Sequence, residues 1–247
     1  MARQVSNSGV VLRSGAISIG IDIFSNDASG IYPATPLLQK QMLLEEIETN
    51  RLSVLLFTHD HDDHFDRQTV KEAWMRNPAL KIVSTETVIG QLRQEGISGE
   101  NLISVPEKLT GPGMEFGGFR IWPFYSCHAG KQYSDVQNLT FLIGTDNQHY
   151  VFPGDAEPRA VFFDRIQDWE QEIDWFFLPF TYVGRPTVRR MMDERLIIHN
   201  IWVLHCLRPE ADRHSWVKRA QEICKGAADS LPYPIFGEIG GGWISLQ

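Results

Sequence analysis

One segment constrains this chain more than any other: Thr58-His59-Asp60-His61-Asp62-Asp63-His64-Phe65-Asp66. It follows the continuous apolar run 53–57 and precedes a helix-like pattern. Three histidines and three carboxylates fall within seven residues. No core element can absorb them, because burying unpaired charge costs several kcal/mol per group. The apolar strand must therefore end here, at an edge of the fold, and the chain must turn. A turn that projects His59 and His61 the same way presents two imidazoles to one metal ion. Asp63 and His64 then fall on its other side, placed for a second ion. Imidazole with carboxylate suits zinc, iron or manganese better than calcium or magnesium. The letters exclude a helical HExxH site. A solvated acidic loop with incidental histidines is the plain alternative, but it leaves the density of the pattern unexplained.

The flanking chain reads as short interleaved elements. Residues 10–13 and 16–24 are strand-like, and Ile17, Ile19, Ile21 and Ile23 alternate as in a half-buried strand. Residues 36–50 read as a helix, and 53–57 as a strand buried on both faces. Asp66 can cap a helix to about residue 77, and Thr85 another that stops near Gly96. Strands are expected at 81–83, 116–125, 139–144, 149–152, 173–178 and 201–205. Helices are expected at 158–169, after Pro186, and over 211–225. The proline- and glycine-rich stretch 231–246 gives no clear pattern. With no long linker and no repeat of fixed period, the 247 residues read as one domain, 1–247, of layered sheets and helices.

More metal ligands are expected where other strands end. His128 follows the strand 116–125, Asp155 follows Phe152-Pro153-Gly154, and His205 ends Ile201-Trp202-Val203-Leu204. Beside them, Tyr182, Arg185, Arg208 and Arg213 are candidates for holding substrate, the arginines by charge-assisted hydrogen bonds. Lys131 and Tyr133 are rim candidates, and Asn138 is open. Cys127 and Cys206 adjoin ligand candidates, but strand neighbours point opposite ways, so these thiols should face away. His149, His199 and His214 have no motif around them.

The order His59-x-His61-x-Asp63-His64, then His128, Gly154-Asp155 and His205 resembles the metallo-β-lactamase superfamily. The forms THDHDDHFD and FPGDAEP resemble its branch of L-ascorbate-6-phosphate lactonase-like metal-dependent hydrolases. The resemblance implies an α+β fold, a four-layer αββα sandwich with metals at one edge of the two sheets. It assigns His59, His61 and His128 to one ion, Asp63, His64 and His205 to a second, and Asp155 to both. Asp22, ending an early strand, would orient a ligand histidine from behind. The implied cofactors are two divalent ions, zinc first, manganese or iron otherwise. The implied activity is hydrolysis of a small ester, lactone or phosphorylated metabolite by a metal-bridging hydroxide, with Asp63 handling the proton.

Other functions on the same site are weighed against this one. A phosphodiesterase or nuclease would share the metals, but the chain lacks the PxKxxHG loop of tRNA 3′-processing relatives. Its formal charge of −8 also disfavours long polyanions. Two divalent ions would leave the pocket mildly positive, which suits a small anionic substrate. A mono-iron persulfide-dioxygenase-like oxidoreductase and a non-catalytic metal-binding protein complete the alternatives. Three cysteines without CxxC spacing argue against a disulfide framework. No signal peptide and no apolar run long enough for a membrane span are read, so a cytoplasmic protein is expected, with a homo-oligomer left open.

Overall fold

In the computed structural model, which describes residues 1–107, 113–226 and 234–246, the chain runs twice through one pattern. Each pass is an antiparallel meander that continues into parallel strands joined by helices. The first pass comprises β1 (Ala2–Gln4), β2 (Val10–Ser14), β3 (Ile17–Ile21), α1 (Leu37–Glu48), β4 (Leu52–Leu56), α2 (Arg67–Arg76), β5 (Lys81–Ser84), α3 (Glu86–Gln94) and β6 (Leu102–Ser104). The second comprises β7 (Met114–Phe116), β8 (Phe119–Cys127), β9 (Gln137–Gly144), β10 (His149–Phe152), α4 (Ala160–Trp169), β11 (Glu172–Pro179), α5 (Phe180–Val183), α6 (Pro186–Asp193), β12 (Ile197–Leu204), α7 (Trp216–Gly226) and β13 (Ile235–Phe236). Each pass forms one sheet with its strands in chain order, β1 to β6 across the first and β7 to β13 across the second.

Three apolar clusters define the layers. Ile19, Ile21, Val54, Leu56, Phe141, Phe152 and Phe177 fill the space between the sheets. Leu43, Ile47, Leu55, Val70 and Ile89 join the first sheet to α1, α2 and α3. Phe163, Phe176, Val188, Met192 and Val203 join the second sheet to its helices. This is the four-layer αββα sandwich of the α+β class that the sequence resemblance implies. Its parallel strands are covered on both faces, which explains the continuous apolar runs. No helix among the described residues is long and apolar enough to cross a membrane.

Several elements differ from the sequence reading. Strand β3 is buried on both faces rather than one, because Ser18 and Gly20 let its second face pack closely; a Cβ on Gly20 would lie 2.7 Å from Ile23 Cδ1. The strand expected over 116–125 is the hairpin β7–β8, turned by Gly117 and Gly118 at φ 55° and 89°. Helix α7 starts later than residue 211, after a stretch of turns. Of the stretch 231–246, residues 231–233 lie outside the described residues; Ile235–Phe236 pairs with β12, and Ile244 bridges to Ala2.

The arrangement brings the C-terminal ends of several strands to one edge. Strands β3 and β4 run parallel, as do β10, β11 and β12. Strand β8 is antiparallel to β9 and β9 to β10, so β8 points the same way as β10. The residues after β3, β4, β8, β10 and β12 include Asp22, the histidine-rich turn, His128, Asp155 and His205.

Candidate metal centre

The turn after β4 is built locally. The backbone N–H groups of His64 and Phe65 donate to His61 O at 2.9 and 2.8 Å, and Asp66 caps α2 by accepting from Gln68 N–H at 3.3 Å. This winding places His59 and His61 against one another, ring centroids 4.6 Å apart, with His128 at 4.9 and 4.7 Å from them. His64 lies 4.1 Å from His59 and 5.0 Å from His205 by the same measure.

Two donor groups emerge. His59, His61, His128 and Asp155 offer one atom each within 4.8 Å of one another, and so do Asp63, His64 and His205. Asp155 also reaches the second group: its Oδ1 lies 3.4 Å from His64 Nε2 and its Oδ2 3.6 Å from His205 Nε2. The structure thus gathers all seven residues that the sequence singled out as metal ligands.

The hydrogen bonds behind these rings fix which nitrogen faces inward. Asp22 accepts from Thr58 N–H at 2.8 Å, from the Thr58 hydroxyl at 2.7 Å and from His64 Nδ1–H at 2.8 Å. The Thr58 hydroxyl uses its one hydrogen in the bond to Asp22, so its oxygen accepts from His59 Nδ1–H at 3.0 Å. His128 Nδ1–H donates to Ala129 O at 2.7 Å. All three rings therefore turn Nε2 inward as a lone pair. His59 Nε2, His128 Nε2 and Asp155 Oδ1 are buried and make no hydrogen bond. Electron-rich atoms facing one another without partners are what a cation between them would satisfy, and this donor set fits divalent metal.

With protein groups alone, the same demand for positive charge appears as protonation. Burial works against a charged His64, but Asp155 and Asp63 outweigh it and push this imidazole well above its ordinary range. Burial opposes ionisation of Asp155 too, and His205 and His64 overcome it, holding the carboxyl well below the usual range. His59 is driven well below the imidazole range by burial and by its neighbour His64.

The second sheet's donors are held by interlocking turns. Gly154 has φ 58°, and a Cβ there would lie 2.6 Å from Asn138 Oδ1 and 2.7 Å from Thr58 Cβ, so only glycine fits. Asn138, buried, donates from Nδ2 to Pro153 O at 2.9 Å and accepts from Asp155 N–H at 3.0 Å. His128 bridges to Ala156, with Ala129 N–H donating to Asp155 O at 2.7 Å. His205 adopts φ 57°, an unfavourable conformation for a non-glycine residue. A cavity of about 20 Å³ beneath the centre, among Asp22, Thr58, His64, Asp155 and His205, has room for a single water.

The expected substrate side chains are placed elsewhere. Tyr182 is buried in the outer core, because β11 runs straight into α5 and turns the ring inward. Its hydroxyl donates to Ala156 O at 2.6 Å, a strut under the Asp155 turn. Arg185 lines a separate groove with Phe180, Trp216 and Arg219. Arg208 pairs with Asp27 and donates to Tyr32 O at 3.3 Å. Arg213 is exposed in the turns before α7. Of the rim candidates, Tyr133 sets its ring against His61 and His128, centroids 4.9 and 5.0 Å away. Cys127 is exposed and Cys206 half-buried, its thiol pushed up to about 12 by burial and Asp212; neither belongs to a donor group. His149, His199 and His214 lie against Trp169, Glu172 and Trp216.

The sequence reading missed Tyr32. Its ring stacks on His205, centroids 4.1 Å apart, and burial together with Asp155 and Asp63 raises its phenol above the ordinary range. No local pattern marks it, because its partner lies at the far end of the chain. Thr58 could have been suspected, since a hydroxyl opening such a turn can serve two histidines at once.

Two sheets between two helical layers, with a histidine–aspartate cluster at one edge, define the metallo-β-lactamase class of fold. The family description "Beta-lactamase superfamily domain" matches residues 27–235, and the chain belongs to that superfamily. A possible metal-dependent hydrolase from Veillonella parvula superposes with a TM-score of 0.68 at 15% identity, covering 97% of both chains. The isothiocyanate hydrolase from Delia radicum gut bacteria gives 0.64 at 16% identity, covering 95% of both. By sequence, the chain is 27% identical over 133 residues to N-acyl-phosphatidylethanolamine-hydrolyzing phospholipase D 1 of Caenorhabditis elegans. That match takes in 51% of this chain and 37% of the nematode protein.

Proposed function

We propose that this chain is a cytoplasmic dinuclear metal-dependent hydrolase, acting as one domain on a small ester, lactone or phosphorylated metabolite. The observation that carries the reading is the pair of donor groups joined by Asp155, with the buried, unpartnered Nε2 atoms of His59 and His128 in the first of them. Divalent ions held there, zinc first and manganese or iron otherwise, would supply Lewis acidity and lower the pKa of water towards about 7. The protein's own residues do the rest. Asp22 and Thr58 fix the rings of His64 and His59, so their donor atoms need no reorganisation. Asp63, only part-buried and 2.8 Å from His205 Nε2, is placed to accept a proton and pass it to the leaving group. Burial opposes ionisation of Asp63, but His64 and His205 outweigh it and hold the carboxyl below the ordinary range, so it is ionised. The names of the nematode phospholipase and the isothiocyanate hydrolase both describe addition of water across a polar bond, which supports hydrolysis without choosing a substrate.

The test is metal analysis with turnover. Protein loaded with zinc or manganese should hold two ions per chain and hydrolyse at least one class in a panel of lactones, esters and phosphodiesters. A single iron with oxygen consumption would favour the dioxygenase alternative. Two tightly held ions with no turnover of any class would overturn the hydrolase reading.

A further inference from the structure

Residues 25–35, between β3 and α1, run beside the donor cluster from Asp62 to His205 and are tied down at several points. Asn26 N–H donates to Asp62 O at 2.7 Å, and Thr35 N–H to Ser25 O at 3.2 Å. Arg208 grips the middle: its N–H donates to Ile31 O at 2.9 Å, its guanidinium to Tyr32 O at 3.3 Å, and it pairs with Asp27. These ties hold the Tyr32 ring on His205, 29° from parallel. The Tyr32 hydroxyl makes no hydrogen bond among the described residues, and Asp155, Asp63 and Tyr133 are its electrostatic neighbours. Tyr133 stands on the other side, against His61 and His128. Two phenols thus wall the centre, one over each donor group.

We propose that Tyr32 contacts substrate, its hydroxyl donating a hydrogen bond to the carbonyl oxygen of an ester or lactone as that oxygen gains charge. The proposal rests on the hydrolase reading and narrows it to acyl substrates. One neutral donor answers one developing oxyanion. A phosphoryl group spreads charge over three oxygens and calls for cationic clamps. The arginines that the sequence offers as clamps are placed elsewhere, Arg208 on Asp27, Arg185 in a separate groove and Arg213 exposed in the turns before α7. The reaction balances simply. A water oxygen bonds to the acyl carbon, the bond from that carbon to the leaving oxygen breaks, and the leaving oxygen takes one of the water's protons. The second proton is released when the product acid ionises. Tyr32 keeps its own proton throughout.

The experiment compares wild type with Tyr32→Phe, which keeps the ring on His205 and removes only the hydroxyl. Both proteins are loaded with zinc and checked for equal metal content. Aryl and alkyl esters of graded leaving-group acidity are assayed, and phenylphosphonate, a tetrahedral acyl mimic, is titrated calorimetrically. The expected result is a kcat lowered about 10²-fold, KM little changed, by a similar factor across the series, with phenylphosphonate bound about tenfold more weakly. Equal kcat and equal phenylphosphonate affinity in the two proteins would overturn the assignment of Tyr32. So would a loss that grows steeply with leaving-group pKa, because the hydroxyl would then serve the leaving oxygen. Wild type that binds two zinc ions yet turns over nothing would overturn the hydrolase reading itself.

Discussion

The two passes of the chain supply the centre in opposite ways. The first places four donors, His59, His61, Asp63 and His64, within six residues of one turn. The second supplies three, His128, Asp155 and His205, each at the end of a different strand. The turn is wound by its own backbone hydrogen bonds and braced from behind by one carboxylate, Asp22, acting through Thr58. The scattered donors each need a separate support: Asn138 and the Tyr182 strut for the Asp155 turn, the bridge to Ala156 for His128, and a left-handed backbone for His205. Concentrated donors should therefore fail together when one brace is lost, and dispersed donors one at a time.

The sharpest way to break this contrast is Asp155→Ala. Asp155 reaches both donor groups, so metal content and activity should fall together, activity by more than about 10²-fold. Metal analysis beside kinetics checks this; a variant that keeps two tight ions and full activity defeats the assignment. Next comes Asp22→Asn, nearly isosteric, which weakens the acceptor serving His64 and Thr58. Metal affinity should drop about 10- to 100-fold, read by competition with a chelator. If the concentrated half fails as a unit, both ions are lost in that range. Asn138→Ala should act on the dispersed half alone. It leaves Pro153 O and Asp155 N–H without their partner, at about 1–3 kcal/mol of stability by denaturant unfolding. Because Asp155 reaches both donor groups, both ions should weaken here, but less than in Asp22→Asn; a loss as large as in that variant would erase the distinction between the halves.

The smallest effect is expected for Asp66→Ala, at the exit of the turn. Loss of the cap should cost about 1 kcal/mol of stability at neutral pH. Burial opposes ionisation of Asp66, but Thr69 and Lys40 hold its carboxyl below the ordinary value. A depressed folded-state pKa gives stability that is present above the unfolded value of 3.8 and lost as pH falls. The gap between wild type and variant should therefore stay full at neutral pH and close in acid, which unfolding curves at several pH values will show.

What sequence could disclose follows the same division. The turn after β4 is contiguous, so its composition alone excluded a core element and pointed to metal. His128, Asp155 and His205 were readable only as residues that end apolar runs, and the family resemblance was needed to join them. The strand-end rule then misled for Tyr182. It predicts the direction of the first residues after a strand, but not when the chain enters a helix at once, as β11 does at Phe180. Arg208 reads as an anion holder in the sequence because its partner Asp27 is remote along the chain. Tyr32 escaped for the same reason. The twofold repetition of meander and parallel strands left no trace in the letters, because each pass fills its cores with different side chains.

Each donor group draws residues from both sheets: His59 and His61 with His128 and Asp155, Asp63 and His64 with His205. An ion in either group is therefore a cross-link, closing chain segments that are distant in sequence. Closing such long-range contacts costs loop entropy before they are repaid, which favours their completion after the folding barrier. Their stabilisation falls mainly on the native side of the barrier, so metal loading should lengthen the lifetime of the folded state while scarcely hastening its formation. The same seven side chains that prepare a reaction would then also set how long the sandwich stays closed.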